Sequence, residues 1–334
     1  MVTGAAIKKI AYYLPEERLD NRAIERMFPG WSSEKIEEKV GIRTRHLAAP
    51  DETALDMAAK ASEQLLAHVD REKIDFLIFC TQSPDYFLPT SACILQDRLK
   101  LKTGIGAFDM NLGCSGFIYG LMTGAGMIKS GMVDSLLFVT AETYSKHIHP
   151  KDRGNRIIFG DGAAATLIEK SDTDAIGAFA LGTNGKGYAN LIVKNGGLKN
   201  RFEPNALETE DQNGCTRTDN HLFMNGPEIF NFTIKTIPKL VKELLEKNRV
   251  TMDEIDYVVF HQANKYILDY LRKKLKIPKE KFHIDLENTG NTVSSTIPIA
   301  LADSLERGTI QKGSRVLLAG FGVGYSWGGT VVRI

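Results

Sequence analysis

The chain has 334 residues, 43% of them hydrophobic, with 42 basic against 41 acidic side chains. That length supplies core for one double-sized domain or two fused ones, and the balanced charge excludes a whole-chain pull toward nucleic acid or an anionic membrane. No apolar run reaches membrane-spanning length, Met1-Val2-Thr3-Gly4 lacks a signal-peptide pattern, and four scattered cysteines (80, 93, 114, 215) form neither a disulfide framework nor a metal-type pairing, so a reducing, cytoplasmic setting is expected.

Residues 5–13 predict a first strand. Asn21-Arg22-Ala23 opens a helix with Asn21 as N-cap, and residues 31–39 predict a second, capped by Ser32 or Ser33. An extended segment follows at 41–46, then an amphipathic helix at 53–68. Residues 74–80 are a continuous apolar run of strand length, the type expected in a sheet buried on both faces. A helix at 90–99, an extended stretch at 104–110, a helix at 117–128 and a buried strand at 135–140 complete the first half.

Between the extended stretch and the helix lies Gly113-Cys114-Ser115-Gly116. Cys114 thus sits on a sharp turn into a helix N-terminus. Glycines on either side permit the tight turn and leave room for a substrate, and the first free N–H groups of the helix favour ionisation of the thiol. A lone cysteine here reads as packing; its partners further along make it a nucleophile.

The second half repeats the order of the first. Ile74-Asp75-Phe76-Leu77-Ile78-Phe79-Cys80 is echoed 181 positions later by Ile255-Asp256-Tyr257-Val258-Val259-Phe260-His261. Each run is preceded by a long helical pattern (54–68; 229–246) and followed by Gln82 or Gln262. Residues 108–114 find their counterpart in 284–291, and 135–140 in 315–320. Similar-looking strands arise by chance, but several elements in one order imply a duplicated α/β unit about a pseudo-twofold axis, with largely parallel sheets. The halves are placed at 1–170, carrying the cysteine, and 171–334. The polar stretch 196–220 reads as a surface insertion.

In open parallel sheets, ligands bind beyond the carboxyl ends of the strands. Cys114 stands at such an end in one half, Asn291 at the corresponding end of the other, and His261 closes the strand equivalent to the one ending at Cys80. Together they form a set able to make and resolve a thioester. The glycine-rich run Gly320-Phe321-Gly322-Val323-Gly324 lacks the phosphate-loop lysine. It fits instead an oxyanion hole formed by the N–H groups of Cys114 and a residue near Val323.

Taken together, these residues resemble the β-ketoacyl-acyl-carrier-protein synthase III family, condensing enzymes of thiolase-like fold. The resemblance spans essentially the whole chain. It is carried by Gly41-Ile42-Arg43-Thr44-Arg45-His46, the Cys114 turn, Asp152-Arg153-Gly154, Phe159-Gly160-Asp161-Gly162-Ala163, His261-Gln262-Ala263-Asn264, Gly290-Asn291-Thr292 and the glycine-rich ending. It implies a layered αβαβα fold, a homodimer, no metal or cofactor, and a catalytic triad of Cys114, His261 and Asn291. It also implies substrates carried as thioesters of coenzyme A or acyl carrier protein, malonyl-carrier protein among them, and the reaction that initiates fatty acid synthesis. Substrate-binding positions fall on Arg153, Asn264, Leu88, Lys35 and Lys39.

Several of these depart from the family pattern. Lys35 stands where the family has a tryptophan that stacks on adenine with the arginine matched by Arg153. Trp31 lies one helical turn earlier, and Lys39 replaces an arginine. Tyr266 replaces a carrier-docking arginine, and Leu88, beside Phe87, replaces the phenylalanine that closes the acyl pocket across the dimer. These changes favour a carrier-bound donor, with Lys35 and Lys39 facing either solvent or an acidic carrier. Alternative readings are a specialised synthase or acyltransferase of secondary metabolism or surface-glycan assembly, a cysteine thioester hydrolase, and a silent partner subunit.

Overall fold

The computed structural model describes residues 4–212 and 214–334. Residues 1–3, part of the stretch read for a targeting signal, and residue 213, within the 196–220 insertion, lie outside the described residues. The α-helices are α1 (Asn21–Met27), α2 (Ser33–Val40), α3 (Ala54–Leu66), α4 (Ser91–Arg98), α5 (Gly116–Lys129), α6 (Arg153–Arg156), α7 (Gly226–Asn248), α8 (Lys265–Lys274) and α9 (Thr296–Glu306). Among them no helix is long and apolar enough to cross a membrane.

Two sheets form the frame. In the first, the spatial order is Gly4–Tyr13, Gly162–Ser171, Ser135–Glu142, Phe76–Cys80, Gly106–Met110. In the second it is Ala180–Thr183, Ser326–Arg333, Arg315–Gly322, Tyr257–Phe260. Element for element, the second repeats the first. The strand and turn expected over 284–291 as the counterpart of 108–114 add no fifth strand, and a single parallel bridge between Val258 and Phe282 stands at that edge.

The sheets are mixed rather than largely parallel. Phe76–Cys80 runs parallel to both neighbours, and Tyr257–Phe260 runs parallel to Arg315–Gly322. The remaining pairs are antiparallel. Arg315–Gly322 and Ser326–Arg333 are joined by a short turn, which can only pair strands antiparallel; a parallel pair needs a long crossover.

Contacts stack the elements in layers. Helices α3 and α4 cover the outer face of the first sheet, α7 covers the second, and α5 and α9 lie between the sheets, touching both. The central core joins Ile78, Phe117 and Phe138 from one half to Val259, Ile297 and Leu318 from the other. Phe117 is fully buried and stacks on Phe138 with ring centroids 5.7 Å apart, so its ring serves the core. Both buried strands are apolar along their whole length because helices exclude water from both faces.

Two local expectations change. The α1 N-cap is Asp20, whose carboxylate accepts the Ala23 N–H at 2.7 Å. Asn21 is buried instead and donates to the Ile42 carbonyl at 2.8 Å. The short-range cap signal belongs to either residue, and burial decides between them. The α2 cap is Ser32, as one of the two expected alternatives. Among the described residues of 196–220, two strands of two residues, Thr209–Glu210 and Thr216–Arg217, pair antiparallel in an otherwise irregular excursion.

Candidate active site

Cys114 follows the Gly106–Met110 strand and immediately precedes Ser115, the N-cap of α5. Its thiol is 5% exposed. Burial pushes its pKa up to about 12. The backbone N–H groups of Val323 and of Cys114 itself act in the opposite direction but do not outweigh desolvation. The lowered thiol expected from the helix N-terminus is therefore corrected, because the same turn that supplies the dipole removes water. Cys114 alkylation by iodoacetamide is expected to rise about tenfold per pH unit between pH 8 and 10. A plateau reached below pH 8, read by mass spectrometry of the labelled peptide, would contradict this burial argument.

The flanking glycines also serve a different purpose from the expected one. A Cβ at Gly116 would meet Cys80 Sγ at 2.4 Å, and one at Gly113 would meet Gln82 Oε1 at 2.5 Å, so these spaces belong to protein neighbours rather than to substrate. Gly322 presses on the sulfur itself, where a Cβ would lie 2.8 Å from Cys114 Sγ. Gly322→Ala should displace the thiol and cost about 1–3 kcal/mol of stability, with a larger loss of activity. Equal melting temperature and equal Cys114 reactivity in the variant would refute this contact.

His261 closes the strand Tyr257–Phe260 and is 1% exposed. Its Nδ1 lies 2.7 Å from Thr296 Oγ1 at the start of α9. Burial pushes its pKa down to about 3, so the ring is neutral at working pH. Phe321 meets the ring edge to face at 5.8 Å. Asn291 is also buried. The Val293 N–H donates to its Oδ1 at 2.9 Å. Val293 is held at φ +56°, a left-handed conformation that β-branched residues rarely adopt. Asn291 Nδ2 has the Ala263 carbonyl at 3.5 Å, a long contact that leaves its protons available.

Cys114, His261 and Asn291 line one cavity of about 50 Å³, with Ile158, Met224 and Phe321 among its walls. Ile158, Met224 and Asn264 also line a cavity of about 510 Å³, whose rim includes Trp31, Lys39 and Arg153. The thiol thus lies at the narrow end of a passage that widens outward. Among the described residues no group of three or more His, Cys, Asp or Glu is placed to hold a metal ion.

The other expected site residues divide. Arg153 and Lys39 flank the Trp31 ring, with the guanidinium carbon 4.4 Å and the ammonium 4.9 Å from its centroid. Trp31 therefore does meet Arg153, but from the segment before α2, which begins at Ser33 rather than at residue 31 as expected. Asn264 is at the passage, but its Oδ1 is engaged as the α8 N-cap, accepting from Ile267 N at 2.9 Å. Lys35 stands apart, in a groove of about 440 Å³ shared with Tyr266 and Tyr270 of α8. Leu88 is 82% exposed and does not reach the cavity within its own chain.

Two motif segments are structural. Arg45 is fully buried and donates to the Ile157 carbonyl, and Asp161 accepts from the N–H of Ala48 and of Ser145. The sequence reading missed Thr296, the partner of His261. A hydroxyl five residues after Asn291 is a weak signal without the fold.

Comparison with known proteins gives the family. Residues 108–185 match the family described as 3-oxoacyl-[acyl-carrier-protein (ACP)] synthase III, and residues 245–334 match its C-terminal description. A β-ketoacyl-[acyl-carrier-protein] synthase III of Clostridium perfringens is 37% identical over 96% of this chain and 97% of its own. A counterpart from Fusobacterium nucleatum is 35% identical over 98% of each. A crystal structure of a 3-oxoacyl-(acyl-carrier-protein) synthase III superposes with a TM-score of 0.97 at 47% identity, covering 99% of this chain and 100% of that one. The Thermus thermophilus enzyme superposes at 0.87 with 33% identity, over 98% and 99%. The chain has the thiolase-like fold and belongs to the β-ketoacyl-[acyl-carrier-protein] synthase III family.

Proposed function

We propose that this chain is a 3-oxoacyl-[acyl-carrier-protein] synthase III, an acyltransferase that starts fatty acid synthesis by decarboxylative condensation. The observation that carries the reading is the shared cavity of Cys114, His261 and Asn291, three side chains remote in sequence. Cys114 sulfur attacks an acyl thioester, its proton leaves with the carrier thiol, and the amides of Cys114 and Val323 hold the tetrahedral oxyanion. Malonyl-carrier protein then binds. Asn291 Nδ2 donates to its thioester oxygen. His261, its ring oriented by the 2.7 Å contact of Nδ1 with Thr296 Oγ1, whose hydroxyl has the Val293 carbonyl as acceptor at 3.0 Å, makes a second such donor in the tautomer that carries the proton on Nε2. Carbon dioxide departs, the enolate carbon attacks the acyl carbonyl, and the Cys114–acyl bond breaks to give a β-ketoacyl product, Cys114 leaving as a thiolate that takes its proton back from water.

This chemistry calls on a thiol, an imidazole and an amide, with thioesters of coenzyme A or of carrier phosphopantetheine as substrates. Arg153, Lys39 and Trp31 frame the entry of the carrier arm, and Lys35, Lys39 and Lys273 of the neighbouring groove, which also holds Glu38 and the Lys265–Asp269 ion pair, suit an acidic carrier face. Leu88 and Phe87, exposed on one chain, are suited to reach a second copy in a homodimer. Four free thiols go with a reducing, cytoplasmic location. Incubation with a radiolabelled acyl donor and then malonyl-carrier protein tests the reading. A labelled β-ketoacyl product supports it, free acid supports a hydrolase, and no labelled product supports a silent partner.

A further inference from the structure

Serine stands at the N-cap of both central helices, Ser115 at α5 and Ser295 at α9. A capping serine ordinarily turns its oxygen onto a free N–H of its own first turn. Neither does so here. Both side chains are buried, and each reaches across to the sheet of the other half. Ser115 Oγ lies 2.6 Å from Oγ of Ser326, which opens the strand Ser326–Arg333 of the second sheet. Ser295 Oγ lies 2.9 Å from Oγ1 of Thr140, in the strand Ser135–Glu142 of the first. Since α5 and α9 are counterparts in the repeat, the two contacts are reciprocal.

Each hydroxyl has one proton, and its direction follows from the nearby carbonyls. The Ser326 hydroxyl donates to the Val323 carbonyl at 3.0 Å, which makes Ser115 the donor to Ser326. The Ser295 hydroxyl donates to the Thr140 carbonyl at 3.1 Å, with the Gly162 carbonyl at 3.4 Å, which makes Thr140 the donor to Ser295.

The two pairs end on different parts of the site. Ser115 follows Cys114, and Val323 belongs to the turn whose strand presses on that cysteine. A Cβ at Gly322 would lie 2.7 Å from Cys114 Cβ, and one at Gly320 would lie 2.9 Å from the Cys114 carbonyl oxygen. The serine pair pins these two backbones together. Ser295 instead holds the segment between Val293 and Thr296. Bonds with the Ile158 carbonyl and the Gly160 N–H fix the main chain of Asn291 separately. Its side chain is aimed by the Val293 N–H, and the His261 ring by its contact with Thr296 Oγ1. The segment that Ser295 holds therefore sets both groups.

We propose that these are two positioning pairs with separate duties: Ser115–Ser326 aligns the Cys114 turn with the Val323 turn for acyl transfer to the thiol, and Ser295–Thr140 aligns Asn291 and His261 for decarboxylation. The proposal rests on the synthase reading and divides its two half-reactions between hydroxyls outside the cavity lining. Buried directed hydrogen bonds suit the task, since a lost partner strands a polar group and the segment shifts to satisfy it. Small displacements of reacting groups are costly in rate.

The test uses the full chain. Acylation of Cys114 by N-acetylcysteamine thioesters of acetate, butyrate and hexanoate is followed by intact-protein mass spectrometry, and decarboxylation of malonyl-carrier protein by released carbon dioxide. Ser326→Ala should slow acylation on the order of 10-fold and leave decarboxylation within about twofold, and Thr140→Val should do the reverse. Ser326→Thr and Thr140→Ser keep a hydroxyl and should restore the respective rates. Any other pattern, an equal decline of both rates or no decline in either among them, overturns the proposal, because a merely structural role gives no crossed effect. If Ser326→Ala or Thr140→Val fails to fold, Ser115→Ala or Ser295→Ala breaks the same pair from its other end. Absence of both half-reactions in the unaltered protein overturns the synthase reading, and this proposal with it.

Discussion

Cys114→Ala is expected to abolish self-acylation, with no mass increase from any acyl donor. Removing a covalent nucleophile costs on the order of 10⁴-fold or more in rate, since the remaining groups only bind and polarise. The substitution should be well tolerated by the fold: the side chain is small, and Gly322 and the α5 turn already enclose it. A loss of acylation at unchanged melting temperature therefore reports chemistry rather than unfolding. His261 and Asn291 remain in place in this variant, so malonyl-carrier protein should still lose carbon dioxide on it. Acyl transfer persisting in Cys114→Ala would move the nucleophile elsewhere and end the proposed mechanism.

The second large effect falls on the other half-reaction. Asn291→Ala should leave acylation of Cys114 within a fewfold of normal and reduce malonyl decarboxylation on the order of 10²–10³-fold, the usual cost of one donor to a developing oxyanion. Asn291 suits this division because its Oδ1 is anchored by the Val293 N–H while its Nδ2 protons stay available at the cavity. His261, neutral at any working pH through its burial, is the other donor. Decarboxylation measured as released carbon dioxide, beside acylation measured by mass, separates the steps. Equal decline of both in Asn291→Ala would contradict the assigned roles.

Much of the site was legible in order along the chain. The repeat of Ile74–Cys80 in 255–261 pointed to two like sheets, and the Gly-Cys-Ser-Gly turn, the strand-end histidine and the Gly-Asn turn pointed to one site between them. What short-range patterns misassigned were quantities set by surroundings. The Cys114 thiol was expected to be acidic from its helix N-terminus, yet burial raises it. Gly113 and Gly116 were expected to admit substrate, yet Gln82 and Cys80 fill those spaces. Trp31 was placed near Lys35 by helix geometry alone, while its stacking on Arg153 depends on the short helix α6 more than a hundred residues away.

The sequence by itself determined the duplicated α/β order, the three side chains of the site and the apolar strands that carry two of them to their ends, because periodicity and turn chemistry are local properties. Only the tertiary structure decided the protonation of Cys114 and His261, the Thr296 partner and the mixed direction of the sheets. Desolvation and close packing depend on which distant residues exclude water from a point, and nothing in the spacing of neighbours along a chain encodes that.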